Sequence, residues 1–509
     1  MEAVGKTLLL WGSGGRLLME AVRKPLLLLA GGDGTDATNG TNGTTTKHPN
    51  AQTQNCPRHL GTGPGGLSTN LRTGLGRAGP YFAHKICEAL QTTSVFWYYT
   101  AKNFDARGVL RMITVKRPRF THWFDQWKDR DVIKVVTGIR RCGKTTLFEL
   151  FRETLKSQGV ADEQIVSINF EDPDVGEFST FREAWTAIRQ KMPQTRRAYL
   201  FLDEVQLVPD FECLVDGLYA KKDADIYITG SNAKFLSGEL ATFLTGRYVE
   251  IHMQPLSFSE YRSVFPKQNV RDVFRQYLRF GGFPFAALLP MEPHVQSDYL
   301  SGILNTILYK DIFARKGIRD EALLRRLVRF VFDNVGNLLS INRIVGMLKA
   351  EGLSLQTATL DTYMESLCES FLVYRASRYD IKGRQYLKTN AKYYVADPGL
   401  RRVLLGDKGG DFGHLIENIV YLELLRRYRD VSVGALGNGE VDFVALENGL
   451  PRYFQVALSV RDESVLKREL TPFRSIRDQY PKMLLTLDDD PPLDYDGIRQ
   501  MNIMDFLLD

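Results

Sequence analysis

Gly138-Ile139-Arg140-Arg141-Cys142-Gly143-Lys144-Thr145 is the stretch on which the reading of this 509-residue chain turns. It satisfies Gly-x4-Gly-Lys-Ser/Thr without a gap. It stands directly after a β-rich run at residues 132–136 and opens a helical pattern at 145–156. Glycine lets backbone N–H groups turn inward around a phosphate, and a helix N-terminus adds partial positive charge. Lys144 is placed to neutralise the β- and γ-phosphates of a nucleotide and Thr145 to ligate Mg2+. Gly138, Arg141, Cys142, Gly143 and Thr146 complete the cradle. Gly5-Lys6-Thr7 is a decoy, with no first glycine and no strand before it.

About 60 residues further on, Tyr199-Leu-Phe-Leu-Asp203-Glu204 reads as an apolar strand ending in two carboxylates. Asp203 is placed to hold a water of the Mg2+ shell. Glu204 is placed to polarise the water that attacks the γ-phosphate, which favours hydrolysis over mere nucleotide holding. A third run, 226–229, leads into Gly230-Ser231-Asn232 at the tip of the strand between the two motif strands. Asn232 is the first choice for a γ-phosphate sensor and Ser231 the second. Arg247, before a run at 248–251, reads as an arginine finger or an in-chain sensor, with a solvated arginine as the plain alternative. Together with the run at 165–170 and helical spacing at 181–191, strands and helices alternate. That predicts an α/β core with a parallel sheet covered on both faces.

After Pro255 the texture turns helical, with amphipathic patterns at 299–316 and 321–335. A helix at 340–351, a turn at Gly352, a second helical stretch at 354–375 and a strand–turn–strand at 379–392 predict a winged helix. A helix at 414–427 then precedes strand-like runs at 431–436, 441–447, 453–458 and 483–486. The expected division is an extension (1–111), a nucleotide domain (112–255), a helical region (256–335), a winged helix (336–405) and a C-terminal α/β domain (413–509). Residues 375–402 hold eight basic side chains, Arg375, Arg378, Lys382, Arg384, Lys388, Lys392, Arg401 and Arg402, against Asp380 and Asp397. With Tyr379, Tyr386, Tyr393 and Tyr394 interleaved, this wing reads as a DNA contact, against a solvated hairpin or a protein-contact surface.

Composition sets the outer limits. Hydrophobic residues at 44% and charged residues at 25% exclude collagen-like, wholly disordered and integral-membrane classes. The net charge of +6 sits in residues 1–111, which hold 12 Lys+Arg and 6 Asp+Glu and leave 54 of each for the remainder. The basic excess therefore says nothing about a nucleic-acid face on the body. The same segment holds 17 of the 43 glycines. It is expected to be mostly disordered, either preceding a natural start at Met112 or acting as a regulatory arm. Five scattered cysteines without a CxxC pair predict neither disulfides nor a zinc site and fit a reducing cytoplasm. The apolar runs at 8–10 and 26–30 are far too short to span a membrane, so no membrane association is expected.

The runs GIRRCGKTTL, FLDEVQ, TGSNAKFLSGELA, LTGRYVEI, PLSFSEY and FGGFP, and later KYYVADPGLR, GHLIENIVYLEL, EVDFVA and YFQVALS, resemble a large prokaryotic family. Its members are AAA-type ATP-binding proteins with a C-terminal domain of unknown function that itself resembles restriction endonucleases. The resemblance spans about 112–487. It implies a P-loop ATPase core with ATP and Mg2+ as ligands. Lys144, Thr145, Asp203 and Glu204 would be its working groups, with Asn232 as sensor and Arg247 in the Gly-Arg motif. The nuclease-like pattern asks for an acid on a leading helix, an Asp on one strand and (D/E)xK on the next. Glu417 and Asp442 fit the first two, but the third reads Gln455-Val456-Ala457, and its lysine is missing unless Lys467 reaches back. An inactive scaffold is expected over a nuclease. The function so read is a Mg2+-dependent ATP hydrolase whose cycle moves the winged helix and the C-terminal domain. The alternatives are a nucleotide-gated DNA- or protein-binding switch with negligible turnover, or an ATP-coupled nuclease. Assembly into an oligomer is left open.

Overall fold

The computed structural model describes residues 115–509 apart from 234–243, 245, 315–317, 319, 351, 353–355, 408–411 and 438, so the disorder expected of 1–111 lies outside the described residues. Strands β1 (Ile133–Thr137), β2 (Ile165–Asn169), β3 (Ala198–Asp203), β4 (Ala224–Gly230) and β5 (Tyr248–His252) form one all-parallel sheet in the order β2-β3-β4-β1-β5. The central strands are almost wholly apolar because both faces are covered. Their side chains alternate between two layers with period two. Val136, Phe201 and Tyr227 pack with Phe124 of α1 (Pro118–Trp127) and Phe148 and Phe151 of α2 (Lys144–Ser157). Ile133, Val135, Leu202 and Ile228 pack instead with Ala184 and Ile188 of α3 (Phe181–Lys191) and Leu214 and Leu218 of α4 (Phe211–Lys221). This is the expected α/β core.

Helices α5 (Phe258–Val264), α6 (Val270–Phe280), α7 (Pro284–Leu288), α8 (Pro293–Thr306) and α9 (Glu321–Asp333) follow, and α8 runs on into a π-helical turn at Ile307–Phe313. Next come α10 (Ile341–Ala350), α11 (Thr357–Glu369), the hairpin β6 (Val373–Asp380) and β7 (Gln385–Val395), α12 (Pro398–Leu405) and α13 (Phe412–Arg427). The chain closes with β8 (Asp430–Leu436), β9 (Gly439–Glu447), β10 (Leu450–Val456), α14 (Glu463–Arg474), β11 (Lys482–Thr486), β12 (Asp494–Tyr495), β13 (Ile498–Asn502) and α15 (Ile503–Leu508).

Two expectations change here. The helix expected to run to 375 ends at Glu369, and Phe371 takes a left-handed φ of 55° before β-branched Val373 begins a strand. The hairpin, moreover, is not free-standing. Strand β6 pairs in parallel with β8 through Arg378↔Val433, Tyr379↔Gly434 and Asp380↔Ala435. The result is one mixed eight-stranded sheet in the order β12-β13-β11-β10-β9-β8-β6-β7, which crosses the division expected between 405 and 413. Pairing β6 on both sides satisfies backbone groups that an isolated hairpin would leave to water. No helix among the described residues is long and apolar enough to cross a membrane.

Candidate functional site

The loop after β1 needs glycine at both ends. At Gly138 (φ 153°) a Cβ would lie 2.0 Å from the Met253 carbonyl oxygen, and Gly143 turns the chain into α2 at φ 104°. Lys144 Nζ donates to the Gly138 carbonyl at 2.9 Å and lies 3.3 Å from Glu204 Oε1. Thr145 Oγ1 donates to Asp203 Oδ2 at 2.6 Å, and the Thr229 hydroxyl donates to the other Asp203 oxygen. The Glu204 N–H in turn donates to Thr229 Oγ1 at 2.9 Å. The two motifs meet because β4 lies between β3 and β1, so all three strands deliver their carboxyl ends to one place.

Charge is concentrated there. Burial opposes ionisation of Glu204, yet the Lys144 ammonium, the Gln206 amide and Arg140 outweigh it and pull its pKa down to about 2. Burial lifts Asp203 above the usual carboxylate range, with the Thr145 and Thr229 hydroxyls working against it. Burial also drives the imidazole of His252, at the end of β5, down to about 3, helped by the charges of Lys144, Arg119 and Arg426. His252 is therefore a neutral ring, with Nδ1 3.2 Å from Thr137 Oγ1 and Nε2 2.8 Å from the Tyr374 hydroxyl.

The remaining candidates divide. Thr146 is exposed beside Thr145 at the head of α2, and Cys142 is fully buried, its thiol pushed up by desolvation. Ser231 lies 3.4 Å from Gln206 Nε2, in the Glu204 cluster, while Asn232 is buried one residue further on. Arg247 is elsewhere. Its carbonyl accepts from Ile133 N–H at 2.8 Å, so it stands at the amino edge of the sheet, a strand length of roughly 15 Å from the loop. Its guanidinium pairs with Asp216 of α4. An in-chain sensing role for Arg247 does not agree with this geometry.

Sequence reading also missed three groups. Of the two adjacent arginines in the loop it chose Arg141, which is exposed. Arg140 is the buried one, with Nε and Nη2 each 3.0 Å from the Asp311 carboxylate and Nη1 on Glu171. Arg117, just before α1, donates to the Cys142 carbonyl at 3.2 Å and to the Gln254 carbonyl at 3.0 Å. It forms one wall of a cavity of about 510 Å³ that Arg119, His252, Gln254, Glu423 and Arg426 also line. Asp397, at the cap of α12, accepts from the backbone N–H of Gly282, Gly399 and Leu400 at 2.6, 2.8 and 3.3 Å. A Cβ on Gly281 would lie 1.9 Å from this carboxylate, and Pro284, which opens α7 directly after this loop, sits 3.7 Å from the Cβ position of Gly143. The C-terminal half is thereby anchored on a loop that abuts the turn at 138–143. Only the glycine pair in FGGFP hinted at this close approach.

In the C-terminal sheet, Glu417 of α13 and Asp442 of β9 do come near one another, and the charge of Glu417 adds to burial in lifting Asp442 well above the carboxylate range. Lys392, expected on the basic wing, is buried here instead, with Nζ 3.0 Å from Glu417 and 2.7 Å from Glu440. Gln455 Oε1 accepts from Asp442 N–H at 3.3 Å, while its amide donates to Glu469 at 2.9 Å. Lys467 is exposed, so the α14 residue that reaches inward is Glu469. Arg401 is likewise buried, donating to the Phe332 carbonyl at 2.8 Å.

Residues 130–262 match the family model described as an AAA domain. Residues 271–411 match a domain of unknown function (DUF8612), which ends where the domain expected at 413–509 begins. An uncharacterized protein of Haemophilus influenzae is 38% identical over 399 residues, covering 77% of this chain and 98% of that protein. An uncharacterized protein of Methanocaldococcus jannaschii is 28% identical over 307 residues, covering 58% and 67%. Among solved structures, the Aeropyrum pernix ORC1 protein in complex with DNA is 11% identical, covers 57% of this chain and 92% of that one, and gives a TM-score of 0.27. C. elegans PCH-2 is 13% identical, covers 49% and 65%, and gives 0.20. Scores this low decide nothing about activity. The chain belongs to the same protein family as the Haemophilus influenzae protein, and its residues 130–262 form an AAA domain.

Proposed function

We propose that this family member binds ATP with Mg2+ at the turn 138–146 and hydrolyses it. The observation that carries the reading is the convergence of Lys144, Thr145, Asp203 and Glu204 within hydrogen-bonding reach at the carboxyl edge of the parallel sheet. The residues fit the group. Two positive-φ glycines open the cradle, and Thr145 and Asp203 offer the oxygen pair that Mg2+ takes in such sites. Bound Mg2+ would supply charge neutralisation of the γ-phosphate. Lys144 holds the β- and γ-phosphates, and moving its ammonium from Glu204 onto them releases that carboxylate to orient the attacking water and accept its proton. Sugar and base are assigned to the adjoining cavity, whose lining by Arg117, Gln254 and Arg426 carries polar groups suited to them. Phosphate release by purified protein tests the reading.

The C-terminal cluster supports a scaffold rather than a nuclease. An ammonium already lies between Glu417 and Glu440, and burial favours the neutral acid at Asp442. Incubation with Mg2+ and duplex DNA, with or without ATP, is expected to leave the DNA intact. Cleavage that vanishes in Asp442→Ala would overturn this.

DNA contact, if made, falls to the hairpin tip. Lys382, Arg384 and Tyr386 are exposed there, whereas Lys392 and Arg401 are committed inside. Lys382→Glu with Arg384→Glu should weaken DNA binding and flatten its salt dependence by roughly two phosphate contacts, without changing ATP affinity. Salt-insensitive or absent binding would leave the hairpin as a protein-contact surface.

A further inference from the structure

Arg140 lies inside the turn read as phosphate-binding, yet its bidentate partner comes from outside the AAA domain. Asp311 receives it as a bidentate pair at 3.0 Å on both sides, and both side chains are buried. The second partner, Glu171, follows β2 within the AAA domain. Asp311 belongs to the π-helical turn Ile307–Phe313 that continues the helix begun by α8. A π-turn inserts residues relative to α-helical register and so re-aims the side chains that follow. Breaking either member of a buried charged pair leaves an uncompensated charge, whereas replacing such a pair by well-packed apolar residues of similar volume is often neutral or stabilising. A guanidinium and two carboxylates buried at the turn read as the phosphate site therefore suit a role beyond stability.

We propose that Arg140 and Asp311 form a clamp through which the helical region sets the shape of the phosphate-binding turn, and with it the affinity for nucleotide. The inference rests on the reading of 138–146 as an ATP site. Arg140 is a positioning residue, three positions before Gly143. When the π-turn moves, the fork carries the turn with it, and nucleotide binding biases the helical region by the same coupling. The sequence offered no means of choosing Arg140 over Arg141, and Asp311 read as one polar position in an amphipathic helix.

The test uses the full chain with Arg140→Gln, Asp311→Asn and the two combined. Asp225→Asn serves as a control, because its buried pair with Lys134 lies at the opposite end of β1. The readouts are KM and kcat for ATP, thermal unfolding, and hydrogen exchange of the backbone amides of residues 139–146. Each clamp variant should raise KM roughly tenfold with kcat little changed. The combined variant should be no worse than the weaker single one, since one contact is lost once. Both clamp variants should speed amide exchange in the turn. Asp225→Asn should lower thermal stability and leave KM alone. Folded Asp311→Asn protein with wild-type exchange in the turn overturns the clamp, as do additive effects of the two substitutions. Should the wild-type chain bind no ATP, the ATPase reading fails on its own, and amide exchange alone still decides the clamp.

Discussion

Glu204→Gln should keep ATP affinity within a few-fold of wild type and lower turnover by about 10²- to 10⁴-fold, the range expected when a positioned proton acceptor is lost. The substitution keeps the shape of the side chain and an oxygen for the Gln206 amide, but removes the charge that draws a proton from water. It also frees Lys144 from its 3.3 Å carboxylate partner, so a modest gain in affinity fits the same account. Lys144→Ala acts at the other step. It deletes the only side-chain cation of the turn that contacts Glu204 among the described ion pairs, and it should abolish measurable binding, with turnover lost as a consequence. Paired titrations and steady-state rates separate the two. Equal loss of binding in both variants would contradict the roles assigned here.

Asp397→Ala should destabilise the folded chain by about 3 kcal/mol or more, because three backbone N–H groups, of Gly282, Gly399 and Leu400, lose their acceptor in a site closed to water. Its pH dependence gives a second reading. Burial lifts the Asp397 carboxyl from an ordinary 3.8 to about 7, against the three N–H groups that favour the anion. A group whose folded-state pKa is raised contributes stability that is fully present below the unfolded value and is lost as pH climbs through the folded one. The wild-type chain should therefore lose on the order of 4 kcal/mol from this group between about pH 4 and pH 8. Asp397→Asn, which cannot titrate, should show a flatter slope in denaturant unfolding across that window. An unchanged slope would remove Asp397 as the source.

The parallel core was legible because β1 and β3 each carry two local signals at once, a buried apolar run and a glycine-rich or acidic terminus at the carboxyl end. Lys144, Thr145, Asp203 and Glu204 came with it, since each sits at a fixed offset from a strand end. What stayed hidden depends on contacts between distant segments. Arg140 differs from Arg141 only in which neighbour it meets, and Asp311 is 171 residues away. Lys392 looked like one more cation on a basic hairpin, yet register places it between Glu417 and Glu440. The in-chain sensor role read for Arg247 failed for the opposite reason. It stands next to a strand in sequence, but at the amino end, away from the carboxyl edge where this sheet gathers Lys144, Thr145, Asp203 and Glu204.

The most direct test of the central claim is inorganic phosphate release from ATP by the purified full-length chain, with Lys144→Ala prepared alongside. The account predicts Mg2+-dependent turnover in the wild type that EDTA stops and that Lys144→Ala lacks. Wild-type protein that binds ATP tightly but releases no phosphate would contradict it, leaving a nucleotide-gated switch. Turnover that persists in Lys144→Ala would place the activity outside this site.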